Sequence, residues 1–298
     1  MNEFYTDYAE YLQRFFGKTK IQKISVNTGR GCPNRDGTLG VGGCIYCDNT
    51  AFTPSYCFER HDVAGQLQSG IRFFAWKYKD MKYLAYFQTF TSTYGQTTEQ
   101  FRDQCAEALY VEGVVGLIIG TRPDCITDET IRILEEFNQH CPVFVEIGVE
   151  TLHDDTLRLI NRGHTAEQSL DALRRLTEAG LHTGVPLIAG LPGEDEEMTL
   201  QSVKRICRTG VESIKMHHLQ VLRGTALQRM WNEGSVDINP WQLDKYLDFC
   251  IRVIDTVPRG IAIERFLASA PPQSVVAPKW GIKNYEFTNL LINKLRKR

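Results

Sequence analysis

The chain has 298 residues, of which 42% are hydrophobic and 23% charged, and a formal net charge of -2. That balance describes a globular protein with room for a large core; it excludes disordered and fibrous classes and a global basic field for nucleic acid, so any such partner must meet a local patch. No apolar run reaches membrane-spanning length, and MNEFYTDYAEYLQRFFGK has acids and tyrosines where a secretion signal needs a positive start and an apolar run, so a cytoplasmic protein with no membrane partner is expected.

Residues 1–20 are expected to hold an N-terminal helix. Six apolar runs then read as strands: KISVN at 23–27, YLAYFQ at 83–88, VVGLIIG at 114–120, VFVEIGVE at 143–150, HTGVPLIAG at 182–190 and ESIKMHHLQV at 212–221. Segments 59–79, 97–110, 128–139, 165–179 and 195–209 carry apolar residues at steps of three and four, the spacing of amphipathic helices. Strand and helix alternate, which builds a parallel sheet with right-handed crossovers. The expected fold is α/β, a partial (β/α)6 TIM-like barrel over 21–222. An extension over 223–298 follows, with helices near 225–233, 240–256 and 283–297 and PRGIAIE as a possible extra strand. In such barrels the chemistry sits on loops at the C-terminal ends of the strands.

Cys32, Cys44 and Cys47 follow the first strand with the spacing C-x11-C-x2-C, in a loop with glycines at 37, 40, 42 and 43. Glycine lets backbone approach an inorganic core closely. A structural zinc site is usually closed by four ligands, and here Cys57 and His61 lie nearby but form no second close pair. An iron-sulfur cluster, by contrast, can be held by three thiolates with one iron left open. Buried thiols in a tight turn are the plain alternative. A phosphate loop is disfavoured, since no Gly-Lys-Ser/Thr or GxGxxG followed by a helix is present.

With CIYC at its end, this loop resembles the signature of the radical S-adenosylmethionine (SAM) superfamily. TRPDC at 121–125, FVEIGVET at 144–151, INRGHT at 160–165 and IKMHHLQVLRGTALQRMW at 214–231 resemble the radical SAM half of the elongator catalytic subunit, which modifies the wobble uridine of tRNA. LIAGLPGE at 187–194 is similar to oxygen-independent coproporphyrinogen oxidase. The CPNRDG start resembles a group of small bacterial stand-alone proteins of the elongator type.

The resemblance implies a [4Fe-4S] cluster on Cys32, Cys44 and Cys47, with SAM on the open iron. It implies the Tyr46 backbone at the adenine, Gln88, Thr89 and Phe90 at the amino group, Glu150 at the ribose and Arg162 at the carboxylate. The strand end from Leu187 to Ala189 would pass under the adenine, and Gly120 replaces an acidic residue common in relatives. A Glu150–Arg162 salt bridge and a loop merely ordered by Arg122 and Asp124 are the structural alternatives.

Lys215 and His217 share one face of the last strand and are the candidate catalytic pair, while His218 faces the other way. An inward histidine also suits a plain core role. The remaining cysteines, at 57, 105, 125, 141, 207 and 250, read as buried thiols.

The implied activity is reductive cleavage of SAM to a 5'-deoxyadenosyl radical that remodels the C5 side chain of a tRNA wobble uridine, with an electron donor such as flavodoxin or ferredoxin. The basic end NKLRKR, with Lys279, Trp280, Lys283, Tyr285 and Phe287, gives weak support for RNA contact. A small-molecule or protein substrate, and more distantly a non-enzymatic zinc module, remain as alternatives.

Overall fold

Strands form where β-branched and apolar residues run together: β1 (Lys20–Val26), β2 (Met81–Phe87), β3 (Val114–Thr121), β4 (Val143–Ile147), β5 (His182–Ala189), β6 (Ser213–His218), β7 (Val221–Leu222), β8 (Ala262–Ile263) and β9 (Val275–Ala277). This computed structural model describes residues 2–59, 62–78 and 80–298. Seven strands make one sheet in the order β1-β2-β3-β4-β5-β6-β8, and β7 pairs with β9 in a separate ribbon. Every pairing in the large sheet is parallel.

The six expected strands are present, and PRGIAIE supplies a seventh through β8. Two runs end early. VFVEIGVE leaves the sheet after Ile147, where Gly148 and a positive φ of 66° at Glu150 break the ladder. ESIKMHHLQV splits into β6 and β7.

Helices Val63–Phe74, Thr98–Tyr110, Asp128–Asn138, Ala166–Glu178 and Glu196–Ile206 connect the strands at the expected places; residues 60, 61 and 79 lie outside the described ones. Helices Ala226–Asn232, Leu243–Thr256 and Asn284–Arg296 follow in the extension. Among the described residues no helix is long and apolar enough to cross a membrane.

Strand alternation sorts the side chains into two environments. Ile24, Val26, Ala85, Phe87, Leu117, Ile119, Val145 and Ile147 face outward into the main core with the helices. The inward residues stack in three levels. At the bottom, Leu84, Ile118, Phe144 and Ala262 pack against Tyr11 and Leu12 of the N-terminal helix Tyr8–Phe16, which plugs the barrel. Asp7 caps that helix by accepting from the Glu10 amide at 2.8 Å, and Ile263 N donates to Thr6 O at 2.9 Å, so the chain start is tied to β8.

The middle level is ionic. Lys23 Nζ lies 3.1 Å from Glu146 and 2.8 Å from Glu264; Lys215 Nζ lies 2.6 Å from Glu146 and 3.2 Å from Glu264. The Tyr86 hydroxyl donates to the same Glu146. Two cations thus meet two carboxylates inside the barrel, an arrangement whose desolvation cost is offset only when every partner is in place. Above this floor the third level opens into the site.

Candidate active site

The cysteine loop is built from its own backbone. Arg35 N donates to Cys32 O at 2.8 Å, Gly43 N to Asn34 O at 2.8 Å and Cys47 N to Cys44 O at 3.0 Å. Gly43 has φ of +80°, and a Cβ there would stand 2.8 Å from Arg35 Nε, so only glycine lets Arg35 fold across the loop. Arg35 Nη2 then donates to Cys47 O at 3.1 Å.

A second loop, INRGHT, clamps the first. Ile45 N donates to Ile160 O at 3.0 Å, Asn161 Nδ2 to Gly43 O at 2.9 Å, and Asn34 Nδ2 to Asn161 O. Thr165 ends this loop by capping the helix Ala166–Glu178, and Gln168 closes the capping box. The result places Arg162 beneath the thiols: its Nη1 lies 3.6 Å from Cys44 Sγ and its Nη2 lies 2.5 Å from Gly148 O and 3.4 Å from Glu150 Oε1.

One pocket is lined by Cys32, Cys44, Cys47, Tyr46, Gln88, Phe90, Glu150 and Arg162. Of the residues expected to meet SAM, it therefore gathers Tyr46, Gln88, Phe90, Glu150 and Arg162. Thr89 is buried and does not line it, and the side chains of Leu187 and Ala189 point outward into the main core, leaving Pro186 and Ile188 on the inner face. Alternation is the reason: in β5 the inward positions are the even-numbered ones. Backbone of that strand still meets the site, since Glu150 N donates to Pro186 O at 3.1 Å and Ile188 N to Glu150 O at 3.0 Å.

Phe90 takes φ of +57°, a conformation that favours glycine, at the place where a Gly-rich strand end was expected. The backbone keeps the glycine-like turn with a phenyl ring on it. The Arg35 guanidinium lies 5.8 Å from that ring's centre.

Burial pushes the Cys47 thiol up to about 11, with Cys44 adding to the rise and Arg35 and Arg162 opposing it. Burial also raises the Glu150 carboxyl, against Arg162, Arg122 and Lys215. Deep in the same wall Arg122 is 2% exposed and bonded in bidentate fashion to Asp124 at 2.9 and 2.8 Å. Its Nη1 and the Nε of Arg162 are buried donors without partners among the described residues. Orphaned cationic donors beside three thiols fit an anionic occupant.

Among the described residues no three His, Cys, Asp or Glu side chains converge as ligands of a single metal ion. A four-iron cube takes each thiolate on a different iron, so thiols spread around one pocket suit it better than a zinc ion. His61 lies outside the described residues. Cys57, Cys105 and Cys250 are buried, as expected; Cys125, Cys141 and Cys207 are half-buried.

A second chamber shares Tyr46, Cys47, Tyr86, Gln88, Glu146, Glu150 and Pro186 with the first and extends to Lys215, His217, His218 and Arg265. Lys215 and His217 do face this interior. Lys215 is committed to Glu146 and Glu264, while His217 makes no side-chain hydrogen bond among the described residues. Burial, Arg265 and Lys215 hold His217 well below its ordinary range, so it is neutral. His218 stacks on Trp280 with ring centres 4.3 Å apart. Sequence reasoning missed Tyr86, Glu146, Glu264 and Arg265; a lone acid at an inward strand position, Glu146 in VFVEI, was the available signal.

Part of the basic end is paired with acids and part of its aromatic set is packed away. Lys294, Arg296 and Arg298 lie against Asp248, Glu3 and Asp255, and Trp280 and Phe287 pack in the core instead of offering rings to bases. Lys279, Lys283 and Lys297 enter no ion pair among the described residues, and Tyr285 is exposed.

The family description "Radical SAM superfamily" matches residues 26–206, and "Radical_SAM C-terminal domain" matches 211–297. The chain is 34% identical to Protein YhcC of Escherichia coli (strain K12) over 270 residues, 90% of this chain and 85% of that protein. It is 26% identical to the tRNA uridine(34) acetyltransferase of Methanocaldococcus jannaschii over 186 residues, 61% of this chain and 33% of that one. Its fold is similar to that of the archaeal Methanocaldococcus infernus Elp3, with a TM-score of 0.72 at 19% identity over 94% of this chain and 63% of that chain.

Proposed function

Because this chain belongs to the radical SAM superfamily, we propose that it is an enzyme that remodels the C5 side chain of a wobble uridine in tRNA. The superfamily's cofactors, a [4Fe-4S] cluster and SAM, are this chain's as well. When bound, they supply one-electron chemistry that takes hydrogen from an unactivated carbon.

Cys32, Cys44 and Cys47 would hold the cluster. The guanidinium of Arg162 suits the SAM carboxylate, and the Glu150 carboxylate suits the ribose hydroxyls, as an acceptor of two hydrogen bonds. Gln88 and the turn at Phe90 would take the amino group, and the Tyr46 backbone would meet the adenine. The inner faces of Pro186 and Ile188, rather than Leu187 and Ala189, would pack beside it. Tyr86, Glu146 and Lys215 close the floor and keep water out, which a reactive radical requires. Lys215 and His217 would face the substrate. A protein electron donor such as flavodoxin or ferredoxin would complete the system.

The observation that carries the reading is a single one: the thiol pocket adjoins a second chamber, and the two share Tyr46, Cys47, Tyr86, Gln88, Glu146 and Glu150 as lining. The likeness to the tRNA uridine(34) acetyltransferase supplies the substrate class; this chain spans about a third of that protein, so acetyl transfer is not carried over. The test is anaerobic incubation of reconstituted protein with SAM, reductant and bulk tRNA, followed by nucleoside mass spectrometry. A mass change confined to a wobble uridine supports the proposal. Unchanged tRNA under conditions in which SAM is cleaved contradicts it.

A further inference from the structure

We propose that Arg265 anchors a carboxylate on the substrate, so that the C5 group to be remodelled carries an acid; this rests on the tRNA reading above. Arg265 follows β8, and its carbonyl accepts from Met216 N at 2.9 Å, which pins it against β6. It lines the second chamber together with Tyr86, Lys215 and His217.

The chamber's other ionic side chains already have partners, as ion pairs or hydrogen bonds. Lys23 and Lys215 are each shared between Glu146 and Glu264. Glu150 faces Arg162 at 3.4 Å. Asp48 is turned into its own loop, accepting from Thr50 N at 3.1 Å, from the Thr50 hydroxyl at 2.6 Å and from Ala51 N at 3.4 Å. Arg265 alone has no such partner: among the described residues its guanidinium enters no ion pair, and its Nε is buried without a hydrogen bond.

A buried guanidinium donor left unbonded is costly, and a planar carboxylate is the group that matches its fork. Neutral His217 adds a hydrogen-bonding edge without adding charge. An acid held by Arg265 lies in the space continuous with Tyr46, Cys47 and Glu150, the shared wall of the thiol pocket.

The test uses the cluster-reconstituted, SAM-loaded protein, titrated anaerobically by calorimetry with 5-carboxymethyluridine, its methyl ester, uridine and the nucleobase-free acid phenylacetate. The acid nucleoside should bind at least tenfold more tightly than its ester. Arg265→Met should erase that difference, Arg265→Lys should restore part of it, and SAM affinity should be unchanged in both. Equal binding of acid and ester, no binding of the acid, or loss of SAM affinity in Arg265→Met would overturn the proposal. If acid and ester bind alike yet better than phenylacetate, acid recognition fails while the nucleoside reading stands. If phenylacetate binds as tightly as the nucleoside acid and needs Arg265, acid recognition stands and the nucleoside reading fails.

Discussion

Arg162 and Cys44, 118 residues apart, meet with Nη1 3.6 Å from Sγ, and the same guanidinium reaches Glu150 at 3.4 Å. One cation thus serves a thiol on the cysteine loop and a carboxylate on the loop after β4. A charge-assisted bond is worth about 1.5–3 kcal/mol, so Arg162→Met is expected to weaken SAM binding roughly 10- to 100-fold. Iron content should stay close to that of the parent protein, since all three thiols remain. Equilibrium binding and iron analysis on the same sample check both halves.

Gly148 sits where a Cβ would stand 2.6 Å from Arg162 Nη2 and 3.1 Å from Glu150 Oε1. Gly148→Ala should therefore push both charged groups off their places and reduce SAM affinity at least tenfold, although neither group is itself changed. The fold should survive, because the clash falls on side-chain ends as well as on a strand terminus. Binding measured beside a thermal melt separates the two effects; unaltered affinity would remove Arg162 and Glu150 from the SAM site.

The ionic level under the site makes a stability prediction. Glu146 and Lys215 have side chains only 9% and 5% exposed, and their pair is 2.6 Å long. Removing Glu146 leaves Lys23 and Lys215 sharing Glu264 alone, with one buried positive charge uncompensated, so Glu146→Leu should cost about 3–5 kcal/mol. The double change Glu146→Leu with Lys215→Met should recover part of that loss, which chemical denaturation of the four proteins in the cycle would register.

The same groups set the acid limit. Burial raises the Glu146 carboxyl, but Lys215 and Lys23 outweigh it and hold it well below the usual carboxylate range. In the unfolded chain this group takes up its proton near about pH 4.3, so its contribution is full above that pH and is lost as pH falls below it. His164 and His218 act earlier. Burial pushes them down to about 2 and about 3, with Arg162 and Arg122 helping at His164. The native state refuses protons that the unfolded chain accepts below about pH 6.5, so stability should begin to fall there and fall more steeply below about pH 4.3. Melting temperature measured from pH 8 to pH 4 checks the two slopes.

Much of this was legible in the sequence because it was periodic or clustered. Six strands and their crossover helices carried long apolar patterns, and three cysteines stood close together in a glycine-rich loop. Strand β8 is only two residues long, so alternation could not reveal it, and its register against β6 is what brings Glu264 and Arg265 to the interior. The resemblance implies the strand end from Leu187 to Ala189 under the adenine, and parity along β5 sends those two side chains outward. Glu146 and Lys215 were separate charges on separate strands, and nothing local shows that the curl of the sheet makes them partners. The left-handed turns at Phe90 and Glu150 were likewise invisible, since neither residue type announces a positive φ.

Cys32, Cys44 and Cys47 are the centre of the site, and their proposed role is to support SAM cleavage. The most direct measurement is release of 5'-deoxyadenosine by anaerobically reconstituted, dithionite-reduced protein, beside Cys44→Ala. The predicted result is release by the parent protein and none above background by the variant. Equal release from both, or none from parent protein carrying its full iron and sulfide, would contradict it.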